Sequence, residues 1–208
     1  GGIDLATGSI ISFVNIVCAY FMVNMGMNVV LAVLLSLIIS TFIGFLNGII
    51  IAELRMPALI VTFASQTIFA GYAYIICGGV PISRMPESFL KLGQGYVGPI
   101  PVPVIVMVVI FAIGTFILNK TYFGRYFYAL GGNEEAALLS GIKIKVVKCL
   151  VYSLSGLFAG IAGLVMLARA NTAQPNAGVG YEFDVITCVV LGGVSVNGGS
   201  GKMSNVIA

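Results

Sequence analysis

From Leu5 to Ala52 the chain carries not one Asp, Glu, Lys or Arg. About 20 apolar residues cross roughly 30 Å of hydrocarbon as a helix, so this stretch predicts two membrane spans. The break between them is expected at Asn24–Asn28 (NMGMN), giving spans near Ile10–Val23 and Val29–Ala52. Three further apolar runs follow at Pro57–Cys77, Pro103–Leu118 and Cys149–Ala168. Composition agrees: 8% of the residues are charged, against about 25% in soluble domains. The expected fold is all-α, a polytopic transmembrane helical bundle forming a single membrane domain over 1–208.

Two features refine that bundle. Ser40, Gly44 and Gly48 recur at spacing four in the second span. Ser155, Ala159 and Gly163 share a face of the fifth, with Gly156 and Gly160 beside them. Small residues in such stripes let helix backbones approach closely in lipid. A sixth apolar segment, Val185–Leu191, stops at Gly192–Gly193. It is too short to cross as a helix rising about 1.5 Å per residue. It is read as re-entrant or as the first part of an interrupted helix, a backbone tolerated only inside protein or beside a cavity. Five to six spans are expected in all.

The composition excludes several functions. There is no His, which removes the commonest metal ligand and neutral-pH general base. Cys18, Cys77, Cys149 and Cys188 stand alone in apolar runs and read as small buried hydrophobes. GxSxG and GxxxxGK[ST] motifs are absent, so no catalytic residue, metal ligand or cofactor is assigned, and the chain is not expected to hydrolyse nucleotide. No basic stripe with interleaved aromatics points to nucleic acid. Glu182 and Asp184 read as a solvated loop edge or as N-cap residues for the segment that follows.

The polar residues inside the apolar runs are few. Asn47, Thr62 and Gln66 lie in the second and third spans and need either a hydrogen-bonding neighbour or a watery path. Asp4 and Ser195 belong to a possible internal echo, GGIDLATGS (Gly1–Ser9) against GGVSVNGGS (Gly192–Ser200). Paired glycine-interrupted segments are what transporter repeats leave in sequence; two Gly-rich surface turns are the plainer alternative. Asn47, Thr62, Gln66, Asp4 and Ser195 are the candidate translocation-path residues.

The longest polar interval is FGRYFYALGGNEEAALLSGIKIKVVK, Phe123–Lys148. The region 120–148 holds Lys120, Arg125, Lys143, Lys145 and Lys148, half of the ten basic residues, and the positive-inside rule places it in the cytoplasm. Crossing parity then puts Gly78–Pro101 and Arg169–Asp184 outside and Glu53–Arg55 inside. Within the interval, Asn133 is a good N-cap, Glu134 and Glu135 suit the positive end of the helix dipole, and Ala136 and Ala137 propagate a helix. Gly141 stands where a left-handed C′ residue is wanted.

At these residues the chain resembles a known family. Glu135-Ala136-Ala137-x-x-x-Gly141 matches the EAA---G loop of ATP-binding-cassette importer permeases. The surrounding loop, SGLFAGIAGLV, AQPNAGVGYEFDVITCVVLGGVSVNGGSG, GGIDLATGS and NGIIIAELRMPALIVTFAS are similar to segments of ribose/galactose-type sugar permeases, in order along the whole chain. The resemblance implies a multi-pass bacterial inner-membrane permease of about ten spans, of which this chain is expected to be an internal piece. It implies a sugar import subunit rather than an enzyme, with 119–148 as the cytoplasmic coupling loop and Asn133–Gly141 as its coupling helix. It also implies a cytoplasmic ATPase, a second permease subunit and an extracytoplasmic sugar-binding protein as partners, and lipid as solvent. One departure is Val194-Ser195-Val196-Asn197, where a Thr-Ser-Leu-x pattern is more usual. An uncoupled channel or ion-driven carrier is the alternative. An ion-driven carrier usually needs ionisable residues within its spans, and the five spans lack them.

Overall fold

The computed structural model describes residues 2–207; Gly1, the first residue of the internal echo, and Ala208 lie outside the described residues. The chain opens on a short non-helical segment, then enters helix α1 (Thr7–Ala19), which continues through a π-helical turn, Tyr20–Asn24. The Asn28 side chain accepts from Val30 N–H at 2.9 Å and starts α2 (Val29–Glu53). Pro57 precedes α3 (Ala58–Cys77). It lacks an N–H and so leaves one orphan donor fewer at that end.

Beyond α3 come strand β1 (Ile82–Ser83), helix α4 (Glu87–Gln94) and a small hairpin of β2 (Tyr96–Val97) and β3 (Ile100–Pro101). Then α5 (Val102–Lys120) leads into α6 (Tyr122–Gly132) and α7 (Glu134–Leu139). The last long helix is α8 (Ile144–Ala170), followed by β4 (Thr172–Ala173), α9 (Tyr181–Leu191) and α10 (Met203–Ile207). Among the described residues five segments are long and apolar enough to cross a membrane: Thr7–Asn24, α2, α3, α5 and α8. They fall where the charge-free runs predict. The first starts at Thr7, earlier than Ile10, which gives it a length the shorter reading lacked.

The core is built around α1. Every residue from Gly8 to Ala19 is buried, enclosed by α2, α3 and α8. The α2–α8 contact is the closest between long helices, and the small-residue stripes explain it. A Cβ at Gly156 would overlap the Ser40 carbonyl, one at Gly44 the Tyr152 carbonyl, and one at Gly48 the backbone of Cys149. Gly163, two turns beyond Gly156, faces Ile11 of α1 instead. By contrast, no residue of α5 is buried.

The two ends of the bundle are tied differently. At one end Lys145 at the start of α8 pairs with Glu53 at the end of α2. At the other, β1 pairs antiparallel with β4, Met85 N–H donates to Asn171 Oδ1 at 3.0 Å, and Gln94 Nε2 donates to the Arg169 carbonyl at 3.1 Å. The regions 53–55 and 143–148 therefore share one end, and 82–94 and 169–173 share the other, as crossing parity requires. Among the cysteines, Cys18 is buried, Cys77 and Cys149 are half-buried, and Cys188 is exposed rather than buried.

The packing yields a prediction. Gly156→Ala should push α2 from α8 and cost about 1–3 kcal/mol, the usual range for overpacking. Gly71→Ala, where an added Cβ meets nothing within 4 Å, should be neutral or gain up to about 1 kcal/mol of helix propensity. Thermal unfolding of the two variants in detergent checks this; equal midpoints would contradict it.

Candidate functional site: the bundle interior and the α7 helix

The segment before α1 is not helical, so its backbone groups lack helical partners. Buried in apolar surroundings, each unpaired group costs roughly 1–3 kcal/mol. Side chains supply the partners. Leu5 N–H donates to Thr62 Oγ1 at 3.1 Å, and Thr62 itself donates to the Ala58 carbonyl at 2.9 Å. Asp4 Oδ1 accepts from Ala6 N–H at 3.0 Å, while Ser155 Oγ donates to Asp4 Oδ2 at 2.6 Å. Asp4 and Thr62, two of the path candidates, thus converge on one non-helical strap between α3 and α8.

A second non-helical segment, a run of turns over 174–180, packs against α1 as well. After β4 the chain runs back along α1: Gln174 N–H donates to Asn15 Oδ1 at 3.2 Å, and Gly178 N–H donates to Ser12 Oγ at 2.8 Å. Gly178 and Gly8 pack backbone to backbone, leaving no room for a Cβ on either. The chain then turns into α9, whose roughly 16 Å length completes an interrupted crossing rather than a full helix. Glu182 in its first turn is buried, at 2% exposure. This corrects its reading as a solvated loop edge. Gln66 Nε2 donates to Glu182 Oε1 at 2.7 Å, and Oε2 lies against Gly8 without a hydrogen-bond partner. An acid just before the segment read as re-entrant, Val185–Leu191, was the available signal: ionisable groups inside membrane bundles are costly and mark special sites.

The other path candidates lie apart. Asn47 is buried on α2 with Nδ2 unpartnered. Ser195 is in a turn, its N–H donating to the Ser200 carbonyl at 3.0 Å. That turn stacks on α6: Gly199 sits against Gly131 and Gly132, and Tyr128 Oη donates to the Gly201 carbonyl at 3.1 Å. The two halves of the echo differ in structure. Gly198 and Gly199 adopt positive φ at the positions where Thr7 and Gly8 start a helix, so the second copy turns and the first propagates.

The polar interval folds into two helices. Thr121 breaks the backbone between α5 and α6, its Oγ1 accepting from Gly124 N–H at 3.3 Å. Asn133 Oδ1 accepts from Ala136 N–H at 2.9 Å and caps α7. At the far end Gly141, at φ +82°, donates to the Leu138 carbonyl and Ile142 N–H to the Ala137 carbonyl, the two bonds of a Schellman motif. Ala137 is buried, whereas Glu135, Leu138 and Leu139 face outward. Glu134 turns back and pairs with Lys148 Nζ of α8 at 2.8 Å. Beside that pair a cavity of about 550 Å³ extends to Tyr152, Ser155 and Gly2.

Thr62→Val should strand the Leu5 N–H and destabilise the bundle by about 1–3 kcal/mol, while Thr62→Ser retains the acceptor and most of the stability. Detergent unfolding curves distinguish them; equal losses would mean that Thr62 acts through shape alone.

Comparison with known proteins places this architecture. The chain is 39% identical to the ribose import permease protein RbsC of Haemophilus influenzae over 99% of its own length and 65% of that protein's. It is 44% identical to RbsC of Bacillus subtilis, covering 98% of this chain and 63% of the relative. It is 39% identical to the L-arabinose transport system permease protein AraH of Escherichia coli K12, covering 100% and 63%. The chain thus spans just under two thirds of the length of these relatives. No solved structure matches it. The resemblance to importer permeases carried by its motifs holds over nearly the whole chain, and its five apolar spans make it a multi-pass membrane protein. The model of the family described as "Branched-chain amino acid transport system / permease component" matches residues 1–207, and the chain belongs to that family.

Proposed function

We propose that the chain forms the larger part of a permease subunit of an ATP-driven importer for a monosaccharide, seated in a bacterial inner membrane. The observation that carries this reading is α7. It is a short helix with both ends capped, outside the packed spans, exposing Glu135, Leu138 and Leu139 while Glu134 ties it to α8. A rigid capped helix transmits displacement to the span it is tied to; a loose loop would absorb it. The relatives' printed names, ribose and L-arabinose, support a pentose or a similar neutral solute.

In this reading a cytoplasmic ATPase grips α7 within the 119–148 coupling loop. Asn133, Glu134, Glu135, Ala136, Ala137 and Gly141 form and present the handle. A second permease subunit completes the path, and an extracytoplasmic sugar-binding protein delivers the solute at the α4 end. Nucleotide hydrolysis belongs to the ATPase, and this subunit carries transport only. Displacing α7 moves α8 through Glu134–Lys148, and α8 carries α2 with it through their close packing. Rocking of such packed units opens a path to each side in turn.

Glu135→Arg should lower uptake of labelled ribose or L-arabinose by roughly tenfold or more, in line with coupling free energies of about 1–3 kcal/mol, without reducing the amount of protein in the membrane. Undiminished uptake and undiminished ATPase stimulation would remove the coupling role. A Cys placed at Asn133 should react with a membrane-impermeant thiol reagent only from the cytoplasmic side; labelling of intact cells would invert the topology.

A further inference from the structure

Thr62, Ser12 and Asn15 around α1 are engaged in holding non-helical backbone. A separate group of polar side chains lines the cavity of about 550 Å³ between α8, α5 and α6. Its volume falls within the roughly 300–1,000 Å³ of small-molecule sites, and its apolar walls with a few converging polar groups are the usual make-up of such sites. Lys148, Tyr152 and Ser155 line it from α8. Their spacings of four and three put them on one face of that helix. Phe127 of α6 and Phe158 of α8 add aromatic wall, and Glu134 closes one end beside Lys148.

We infer that this cavity is the binding chamber of the permease for a small neutral polyhydroxylated solute, held by Glu134 and Lys148 at one end and by Tyr152 and Ser155 further in. This rests on the importer reading above. The charges at the mouth cancel, since Glu134 and Lys148 pair at 2.8 Å, so the chamber favours neither an anion nor a cation. A carboxylate accepts from hydroxyls and an ammonium donates to them, while the hydroxyls of Tyr152 and Ser155 do both. Glu134 belongs to α7 and Ser155 holds Asp4 of the strap before α1. A solute in the chamber therefore touches both the helix proposed to be gripped by the ATPase and the wall that holds the interrupted segment.

The test uses the full-length permease, with its native cysteines replaced and Leu154→Cys introduced on the chamber wall, in inside-out membrane vesicles. Ribose or L-arabinose should slow modification of that cysteine by a charged, membrane-impermeant methanethiosulfonate several-fold. Tyr152→Phe, which removes only the hydroxyl, should raise KM for uptake several-fold at unchanged protein level. Protection by neither sugar overturns the chamber, as does a cysteine that never reacts, because an opening for a sugar also admits the reagent. Occupation by a lipid tail would give one of those two results. Uptake of labelled sugar is measured in parallel on cells carrying the intact protein. Uptake without protection removes the chamber and leaves the importer reading; absence of both removes both.

Discussion

The structure depends on the contact between α2 and α8. In hydrocarbon there is no hydrophobic force to press two apolar helices together, so their attraction comes from close van der Waals packing and hydrogen bonds. Gly44, Gly48, Gly156 and Gly160 remove the side chains that would hold the axes apart, and Ser40 fits over Gly160. Once these helices are locked, the groove they form with α3 seats α1. The ion pair Lys145–Glu53 and the pair Lys148–Glu134 both spring from the first turns of α8. One helix thus carries the tight interface, the floor of the cavity and the attachment of α7.

The interior polarity follows from two interrupted segments. Non-helical backbone cannot face lipid, so each of these segments takes side-chain partners from elements far away in the chain. Thr62 serves the first from 57 residues away, and Ser12 serves the second from 166 residues away. The intramembrane polar residues therefore have a structural task before any transport task. Glu182 goes further. Its buried carboxylate joins α9 to Gln66 of α3, and its second oxygen rests on the bare backbone of Gly8.

What could be read from the sequence divides along a physical line. The spans were legible because absence of charge over a hydrocarbon thickness is a property of one segment alone. The α7 helix was legible for the same reason: Asn133, the acidic first turn and Gly141 are local capping chemistry. Helix α6 was not, because its aromatic residues are indifferent helix formers and its apolar side is directed by contact with α5 and the 198–201 turn. Helix α4 was hidden in a loop rich in Gly and Pro, and its burial of Phe89 depends on α8. The place of Glu182 was illegible because its burial is made by residues such as Gln66, 116 positions away.

The enclosure of α1 has a consequence for how the protein is made. It is the least apolar of the five spans and the one without a lipid-facing side. Its Asn15 finds the Gly163 carbonyl only 148 residues later in the chain. At about 5–20 residues per second of synthesis, that partner emerges roughly 7–30 s after α1 does. During that interval Ser12 and Asn15 lack their final neighbours, so α1 has to be sheltered by the insertion machinery or by α2 and α3 until α8 arrives. The most central helix of the bundle is thus made before α2, α3 and α8 and completed only after them.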